Sequence, residues 1–202
     1  MSDNQNTNTA PAAEQDINIL KKIRIEKLDE LKANNKNPYE ITKYNVTSSN
    51  KEAKTAYEKS ESELKTQAGD DEEAFKNLLA ENRIHVSIAG RIMSWRNMGK
   101  ANFIHVRDGS DNMQVYVRMN DIGKEEFAEF KKWDIGDIIG IEGYVFRTMK
   151  GEVSVHAEKL TLLSKSLLPL PEKWHGLKNQ DIRYRQRYVD LICNPEVKDT
   201  FV

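Results

Sequence analysis

Two neighbouring segments of the chain carry side chains that could stack on unpaired bases and hydrogen-bond to them. The alternating apolar residues are Ile104 and Val106 in the first segment and Val115 and Val117 in the second. If these residues face a core, the residues between them share the opposite face of a sheet. Those outward residues are Phe103, His105, Gln114, Tyr116 and Arg118. A sheet face that combines aromatic rings, an amide and a cation favours binding of single-stranded nucleic acid.

A later segment and two loops extend this predicted face. Val153, Val155 and Ala157 alternate inward, which leaves Glu152, Ser154 and His156 outward. Glu152 lies beside the turn Met149–Lys150–Gly151, and an earlier turn-rich segment carries Trp95, Arg96 and Lys100. In OB-folds the loop between the first and second strands and the loop between the fourth and fifth strands border the ligand groove.

Each of these residues also has a plainer interpretation. Phe103 could be a core residue on a strand with imperfect alternation, and Gln114 and Glu152 could lie on an ordinary solvated face. His105 and His156 are as consistent with packed or surface histidines as with binding residues. The binding interpretation depends on all of them sharing one face under one alternation rule.

The elements that must position these residues follow from the same patterns. The predicted strands cover residues 84–94, 101–107, 113–118, 137–148 and 152–157, and a helix covers residues 121–133. Five short strands with a helix between the third and the fourth are typical of the OB-fold barrel. A five-stranded sandwich is the alternative, and the helix at that connection favours the barrel. The predicted fold class is therefore mainly β with flanking α, with N-terminal helices before the barrel.

The domain organisation is predicted in four parts. Residues 1–15 are polar and predicted to be disordered. Residues 16–82 form a helical extension, with helices over residues 17–33 and 51–65 and a short third helix capped by Asp70 or Asp71. Residues 83–163 form the OB-fold domain. Residues 164–202 form a linker and the start of another domain, with a helix over residues 181–192, and the abrupt end suggests a cut through a longer protein.

Composition and motifs exclude several classes of function. The 202 residues carry a net charge of −1, so any nucleic-acid site is local rather than a general basic coat. The single cysteine, Cys193, and the lack of a secretory signal or a long apolar run predict a cytoplasmic protein without a membrane segment. The sequence has no phosphate-binding glycine loop, and its four histidines lack metal-ligand spacing. The residues alone therefore indicate a binding module without catalytic residues.

Several motifs resemble class II lysyl-tRNA synthetase. They are GRIMSWRNMGKANFIHVRD, KKWDIGDIIGIEGYVFRT, GEVSVHAEKLTLLSKSLLPLP, KWHGL and RYRQRYVDLI. The resemblance is strong over residues 86–202 and weaker over residues 24–39. It implies an anticodon-binding OB-fold at the N-terminus of an enzyme that activates lysine with ATP and Mg²⁺ and transfers it to tRNA.

The resemblance also implies roles for individual residues. Phe103 corresponds to the aromatic residue that stacks on the central anticodon uridine, and Gln114 and Glu152 to the groups that read its edge. Arg96 corresponds to a loop arginine that contacts an anticodon base. Possible further base or phosphate contacts are Lys100, His105, Tyr116, Arg118 and His156.

The prediction is thus the anticodon-binding part of a lysine–tRNA ligase, whose partner is the anticodon stem-loop of tRNA(Lys). The chain itself is expected to need no cofactor and to be inactive alone, because it lacks the family's dimer-forming first motif and the second and third motifs, which hold ATP and the aminoacyl adenylate. The parent enzyme is expected to be a homodimer. Two alternatives remain at this point. One is a fragment of an aspartyl- or asparaginyl-type synthetase, and the other is an OB module that binds single strands without sequence preference.

Overall fold

The computed structural model describes residues 10–170 and 180–194, together with residues 197 and 200. Its helices are α1 (Ala10–Ala33), α2 (Asn50–Ala68), α3 (Glu72–Glu81), α4 (Met119–Ile122), α5 (Lys124–Phe130), α6 (Gln180–Arg185) and α7 (Arg187–Cys193). Its strands are β1 (His85–Asn97), β2 (Ala101–Arg107), β3 (Asn112–Arg118), β4 (Ile138–Arg147) and β5 (Val153–Ser164). One 3₁₀ turn, Pro38–Glu40, follows α1. The KWHGL motif, at residues 173–177, lies outside the described residues.

The five strands form a closed barrel in the order β1-β2-β3-β5-β4. Neighbouring strands are antiparallel except for β3 and β5, which pair in parallel. Helical residues connect β3 to β4, so the predicted OB-fold is confirmed. The predicted single helix over residues 121–133 is two short helices, because Gly123 adopts a φ of 91° and ends the first of them.

The barrel interior is filled by the alternating apolar residues. The strand residues with no exposed surface include Ile88, Ile92, Ile104, Val106, Met113, Val115, Val117, Ile139, Ile141 and Val155. Phe127 and Phe130, in the helical connection, are also buried. Removal of this apolar surface from water is the main force that closes the barrel.

The inward–outward alternation first changes phase in β1. The pairing of β1 with β2 shifts register between Ile92 and Ser94, which marks a β-bulge. After the bulge Trp95 points inward, where its ring stacks on Phe130 at a centroid distance of 4.3 Å and its Nε1 donates to Asn102 Oδ1. Trp95 was predicted to lie in the loop at the ligand groove, and the structure instead places it in β1, half-buried against the core.

The last strand is longer than predicted. Its expected end was residue 157, but β5 continues to Ser164 and pairs with β4 along most of that length. The pairing of β4 with β5 shifts register twice, between Ile138 and Ile139 and between Glu142 and Gly143. At Gly143 the two backbones are so close that a Cβ atom would lie 1.9 Å from the carbonyl oxygen of His156. Only glycine fits this position.

Helix α2 belongs to the same compact unit as the barrel, which comprises residues 27–166. Its N-terminus has a capping box, in which Ser49 Oγ accepts from the Glu52 backbone N–H and the Glu52 carboxylate accepts from the Ser49 N–H. Tyr57 and Leu64 of this helix are both buried. Helix α3 follows and is capped by Asp71, whose carboxylate accepts from two backbone N–H groups.

A second compact unit comprises the residues up to Glu26 and those from Leu167 onward. The predicted helix over residues 181–192 breaks at Gln186, which has φ −122° and separates α6 from α7. Asp190 is buried and accepts hydrogen bonds from Arg183 (3.0 Å), Arg187 (2.6 Å) and Asn194 (2.7 Å). Burial acts to raise the pKa of the Asp190 carboxyl, but these hydrogen bonds outweigh it and lower the pKa.

Candidate nucleic-acid interface

One cross-strand row carries side chains on the outside of the barrel from β1 around to β4. Successive strand pairings place Arg96, Phe103, Tyr116, His156 and Tyr144 side by side in that order. Because directly paired residues have side chains on the same face, these five residues form a continuous strip. The structure thus brings together four of the predicted site residues, namely Arg96, Phe103, Tyr116 and His156.

Aromatic rings along this strip are in contact. The centroid of the Phe103 ring lies 4.9 Å from that of Tyr116, and the Tyr116 centroid lies 5.2 Å from that of His156. His156 in turn stacks on Tyr144 at 4.8 Å. Phe103 is half-buried, so part of its ring is open to solvent. An open ring supported by neighbouring rings is a suitable surface for base stacking.

A parallel row on the same face contains the polar residues. Here Ser94 pairs with His105, His105 with Gln114, and Gln114 with Ser154. The Gln114 Nε2 donates to Glu152 Oε2 at 2.5 Å, and Gln114 Oε1 accepts from the Ser154 hydroxyl at 3.0 Å. His105 Nε2 lies 3.3 Å from Glu152 Oε1, and its Nδ1 lies 2.8 Å from Ser94 Oγ. The structure therefore joins Gln114, Glu152 and His105 in one network.

Gln114 differs from the prediction in its burial. Only 6% of the residue is exposed, although it lies on the outer face, because Glu152 and Ser154 cover its amide. The Glu152 side chain is 49% exposed. The amide orientation is fixed by an acceptor on one side and a donor on the other. The pair is consequently oriented before any ligand is bound.

Cations and one carboxylate lie around the strip. Arg96, Lys100 and Arg118 are all exposed. Lys100 belongs to the β1–β2 loop, in which Gly99 adopts a φ of 79° and donates its N–H to Asn97 Oδ1. Near the other end of the strip, His156 Nε2 lies 2.9 Å from Asp121 Oδ2. The exposed cations can contact phosphates, whereas His156 is already paired with a carboxylate.

Sequence reasoning missed three residues of this face. Tyr144 and Phe146 alternate with the buried Val145 in β4, and the centroid of Phe146 lies 5.8 Å from that of His156 and 6.2 Å from that of Tyr116. The alternation was visible in the sequence, but only the barrel order, in which β5 lies between β3 and β4, brings these rings close to Tyr116. Arg83, whose guanidinium lies 4.3 Å from the Tyr144 ring centroid, comes before β1 and gave no signal.

The turn between β4 and β5 is tied to α2. Arg147 donates from Nε to the Glu61 carboxylate at 2.8 and 3.0 Å and from Nη2 at 2.5 Å. Its Nη1 donates to the carbonyl oxygen of Gly151 at 2.7 Å. Gly151 precedes Glu152 directly, so the ion pair lies at the base of the turn that carries a predicted recognition residue.

The described part of the chain contains neither a group of metal ligands nor a membrane-spanning helix. Within residues 10–170 and 180–194, no three His, Cys, Asp or Glu side chains are grouped so that they could hold a metal ion. In the same part of the chain, no helix has the length and apolar character needed to cross a membrane.

Comparison with known proteins identifies the barrel. Residues 86–163 match the tRNA anticodon family described as "OB-fold nucleic acid binding domain". A lysine–tRNA ligase of Clostridium botulinum (strain Langeland) is 44% identical over 195 residues, which are 96% of this chain and 34% of the relative. The chain is thus similar to lysine–tRNA ligases over nearly all of its length, and its barrel matches the tRNA anticodon OB-fold family. The predicted resemblance to the anticodon-binding region of these enzymes is thereby confirmed.

Two further lysine–tRNA ligases support this assignment. That of Syntrophomonas wolfei is 49% identical over 94% of this chain and 34% of its own length. That of Pelotomaculum thermopropionicum is 62% identical over 60% of this chain and 24% of its own length. The chain spans about a third of the length of the curated relatives that it matches over nearly all of its residues. These relatives match the lysyl interpretation rather than the aspartyl or asparaginyl one.

Proposed function

We propose that the outer face of the barrel binds the anticodon loop of tRNA(Lys) and reads its central uridine. The observation that carries this proposal is the position of the partly exposed Phe103 ring in the row next to the preoriented pair of Gln114 and Glu152. Bases in an anticodon loop can leave their stack and lie on an aromatic side chain. Phe103 would supply that surface, with Tyr116 supporting it from the neighbouring strand.

The polar pair suits the edge of uracil. This edge presents two carbonyl acceptors on either side of one N–H donor. The Glu152 carboxylate only accepts hydrogen bonds, and each of its oxygens keeps lone pairs beyond those used by Gln114 and His105. The second N–H of the Gln114 amide can donate to a carbonyl. Cytosine replaces the donor with an unprotonated ring nitrogen that would face the carboxylate, which disfavours this base.

The exposed cations would contact the RNA backbone. Arg96 lies in the same cross-strand row as Phe103, so it can reach the neighbouring nucleotide or its phosphate. Lys100 and Arg118 lie farther from the polar pair and suit phosphate contacts. We propose His105 as a residue that orients Glu152, and His156 and Tyr116 as the ring support of the stacking surface.

The proposal predicts base discrimination in a binding titration. A stem-loop with the anticodon UUU should bind at least about tenfold more tightly than one with UCU, because 1.4 kcal/mol is tenfold and each mismatched buried polar contact costs roughly 1–3 kcal/mol. Gln114→Ala and Glu152→Ala should reduce this ratio. Lys100→Ala should instead weaken both RNAs equally and lower the salt dependence, as loss of a phosphate contact does.

Further stem-loops separate the alternatives. Equal affinity for UUU and UCU in the wild type would indicate an OB module without sequence preference and would contradict the proposal. Stem-loops with GUC and GUU, which correspond to aspartate and asparagine, keep the central uridine. Binding that favours GUC or GUU over UUU would indicate the aspartyl or asparaginyl alternative.

The resemblance to lysine–tRNA ligases also supports proposals about the parent enzyme. We propose that the parent enzyme ligates lysine to tRNA(Lys) with ATP and Mg²⁺ in the cytoplasm and acts as a homodimer. Residues 83–163 are proposed as the anticodon-binding domain, residues 16–82 as its helical extension and residues 164–202 as the linker and start of the catalytic domain. The chain alone is proposed to bind RNA without forming lysyl-adenylate.

A further inference from the structure

Polar side chains tie α2 to the turns of the barrel at two separate places. At the first, the buried Asn50 donates from Nδ2 to the carbonyl oxygens of Val106 (3.0 Å) and Asp111 (2.9 Å). Its backbone N–H donates to Asp108 Oδ2 at 2.7 Å. Lys54 pairs with Asp111 at 2.8 Å. The start of α2 is thereby held against the β2–β3 turn.

The second contact is the ion pair of Glu61 and Arg147. Glu61 is 11 residues after Asn50, about 16 Å along the helix. Its side chain is only 19% exposed and also accepts a hydrogen bond from the Tyr57 hydroxyl at 3.3 Å. The hydrogen bond from Arg147 lowers the pKa of the Glu61 carboxyl, so Glu61 is ionised at neutral pH. Burial raises the pKa of Tyr57 to about 12, so its hydroxyl stays protonated and can donate.

The orientation of the Arg147 guanidinium determines which acceptor its third nitrogen, Nη1, can reach. Because Glu61 binds Nε and Nη2, the planar guanidinium is fixed and Nη1 is directed to the Gly151 carbonyl oxygen. Inside the turn, the Thr148 backbone N–H donates to the Glu152 carbonyl oxygen at 2.9 Å. The Glu152 backbone N–H lies 3.1 Å from Thr148 Oγ1. The chain of contacts therefore runs from α2 through Arg147 to the backbone of Glu152.

We infer that Glu61 is a positioning residue for base recognition: it fixes Arg147, which fixes the turn that places the Glu152 carboxylate on Gln114. This inference rests on the proposed function. Recognition groups must be held within about 0.5 Å of the productive geometry to discriminate between ligands. A turn with the fully exposed Met149 at its tip has little packing of its own, so a charged anchor at its base sets its position. The segment before the barrel thus contributes to specificity without touching the RNA.

The experiment compares three variants in the titration with UUU and UCU stem-loops. Glu61→Gln removes the charge at nearly constant volume, and Arg147→Lys removes the planar fork but keeps the charge. Glu63→Gln is the matched control, because Glu63 is an exposed glutamate on the same helix. We expect Glu61→Gln and Arg147→Lys to reduce the ratio of UUU to UCU affinity at least about threefold. The control should keep the wild-type ratio, and the salt dependence should stay unchanged in all three.

Each outcome has one meaning. A wild-type ratio in both Glu61→Gln and Arg147→Lys would overturn the inference, and so would an equal loss of affinity for the two RNAs, which a merely stabilising ion pair would produce. Melting curves recorded on the same samples verify that the variants are folded at the titration temperature. If the wild type itself fails to distinguish UUU from UCU, the proposed function fails, and this result is separate from failure of the positioning role.

Discussion

At the scale of single residues, burial separates the two kinds of proposed recognition group on the barrel face. Gln114 is covered by its hydrogen-bond partners, whereas Phe103 keeps part of its ring in solvent. The buried amide has a fixed orientation and can therefore select a base edge. The open ring can accept any base, because every base has a π-face. Specificity and affinity are thus expected to depend on different side chains.

The first residue-scale prediction concerns the stacking surface. Phe103→Ala should weaken binding of the UUU stem-loop by about 1–3 kcal/mol, the usual value of one base–aromatic stack, in a fluorescence titration. The melting temperature should change little, because the ring fills no cavity inside the barrel. Phe127→Ala is the contrasting variant, since Phe127 is 3% exposed and its loss should cost roughly 3–5 kcal/mol of stability. A Phe103→Ala protein that melts as early as Phe127→Ala would show that Phe103 is a core residue.

Single-residue roles were predictable only where alternation was regular. Apolar residues alternate from Ile104 to Val106 in β2 and from Met113 to Val117 in β3, so the outward positions of Phe103 and Tyr116 followed directly from the sequence. The cover over Gln114 was not predictable, because it comes from Glu152 and Ser154, which are about 40 residues away in sequence. Contacts at that separation depend on the barrel order rather than on a local pattern.

At the scale of elements, irregularities in the strands limit what a sequence pattern can predict. The bulge in β1 inserts one residue between Ile92 and Ser94 and thereby moves Trp95 to the inner face. A one-residue shift exchanges the two faces of a strand, and nothing in the local composition marks where it occurs. The five strands and their positions along the chain were predictable from periodicity. The inward position of Trp95 was not.

The element-scale prediction concerns the close approach of β4 and β5. Gly143→Ala should destabilise the barrel by at least about 1–3 kcal/mol, because its Cβ would overlap the His156 carbonyl oxygen and backbone cannot move aside cheaply. Urea denaturation measures this loss. Gly109→Ala is the control, since a Cβ there meets no atom within 4 Å. Equal urea midpoints for Gly143→Ala and Gly109→Ala would show that β4 and β5 can move apart without a loss of stability.

At the scale of the whole barrel unit, a buried charge network connects α1, the α5–β4 loop and the end of β5. Lys165, 3% exposed, forms ion pairs with Asp134 and with the fully buried Asp137 (2.8 Å), and Lys27 pairs with Asp134 at 2.8 Å. Burial acts to raise the pKa of the Asp134 carboxyl, but hydrogen bonds from Lys165 and Lys27 outweigh it and lower the pKa. The folded protein therefore favours the charged form of Asp134.

This network predicts how stability changes with pH. A carboxyl whose pKa is lower in the folded state stabilises the fold above its ordinary pKa of 3.8, and this contribution disappears as pH falls through the folded-state value. Urea midpoints of the wild type should consequently decrease below about pH 4. The difference between the wild type and Asp134→Asn should be largest near neutral pH and narrow in acid. A difference that stays constant from pH 7 to pH 3 would contradict this assignment.

The parallel pairing of β3 with β5 has a consequence for biosynthesis. Strand β5 is the last strand of the barrel to leave the ribosome, and it pairs with both β3 and β4. Until about residue 164 has emerged, those two strands keep unpaired edges that could join other chains. Glu152 and His156 arrive with this same closing segment, so a nascent chain cannot present the complete proposed RNA-binding face. If the proposed function holds, capture of tRNA during translation is delayed until β5 has paired with β3 and β4.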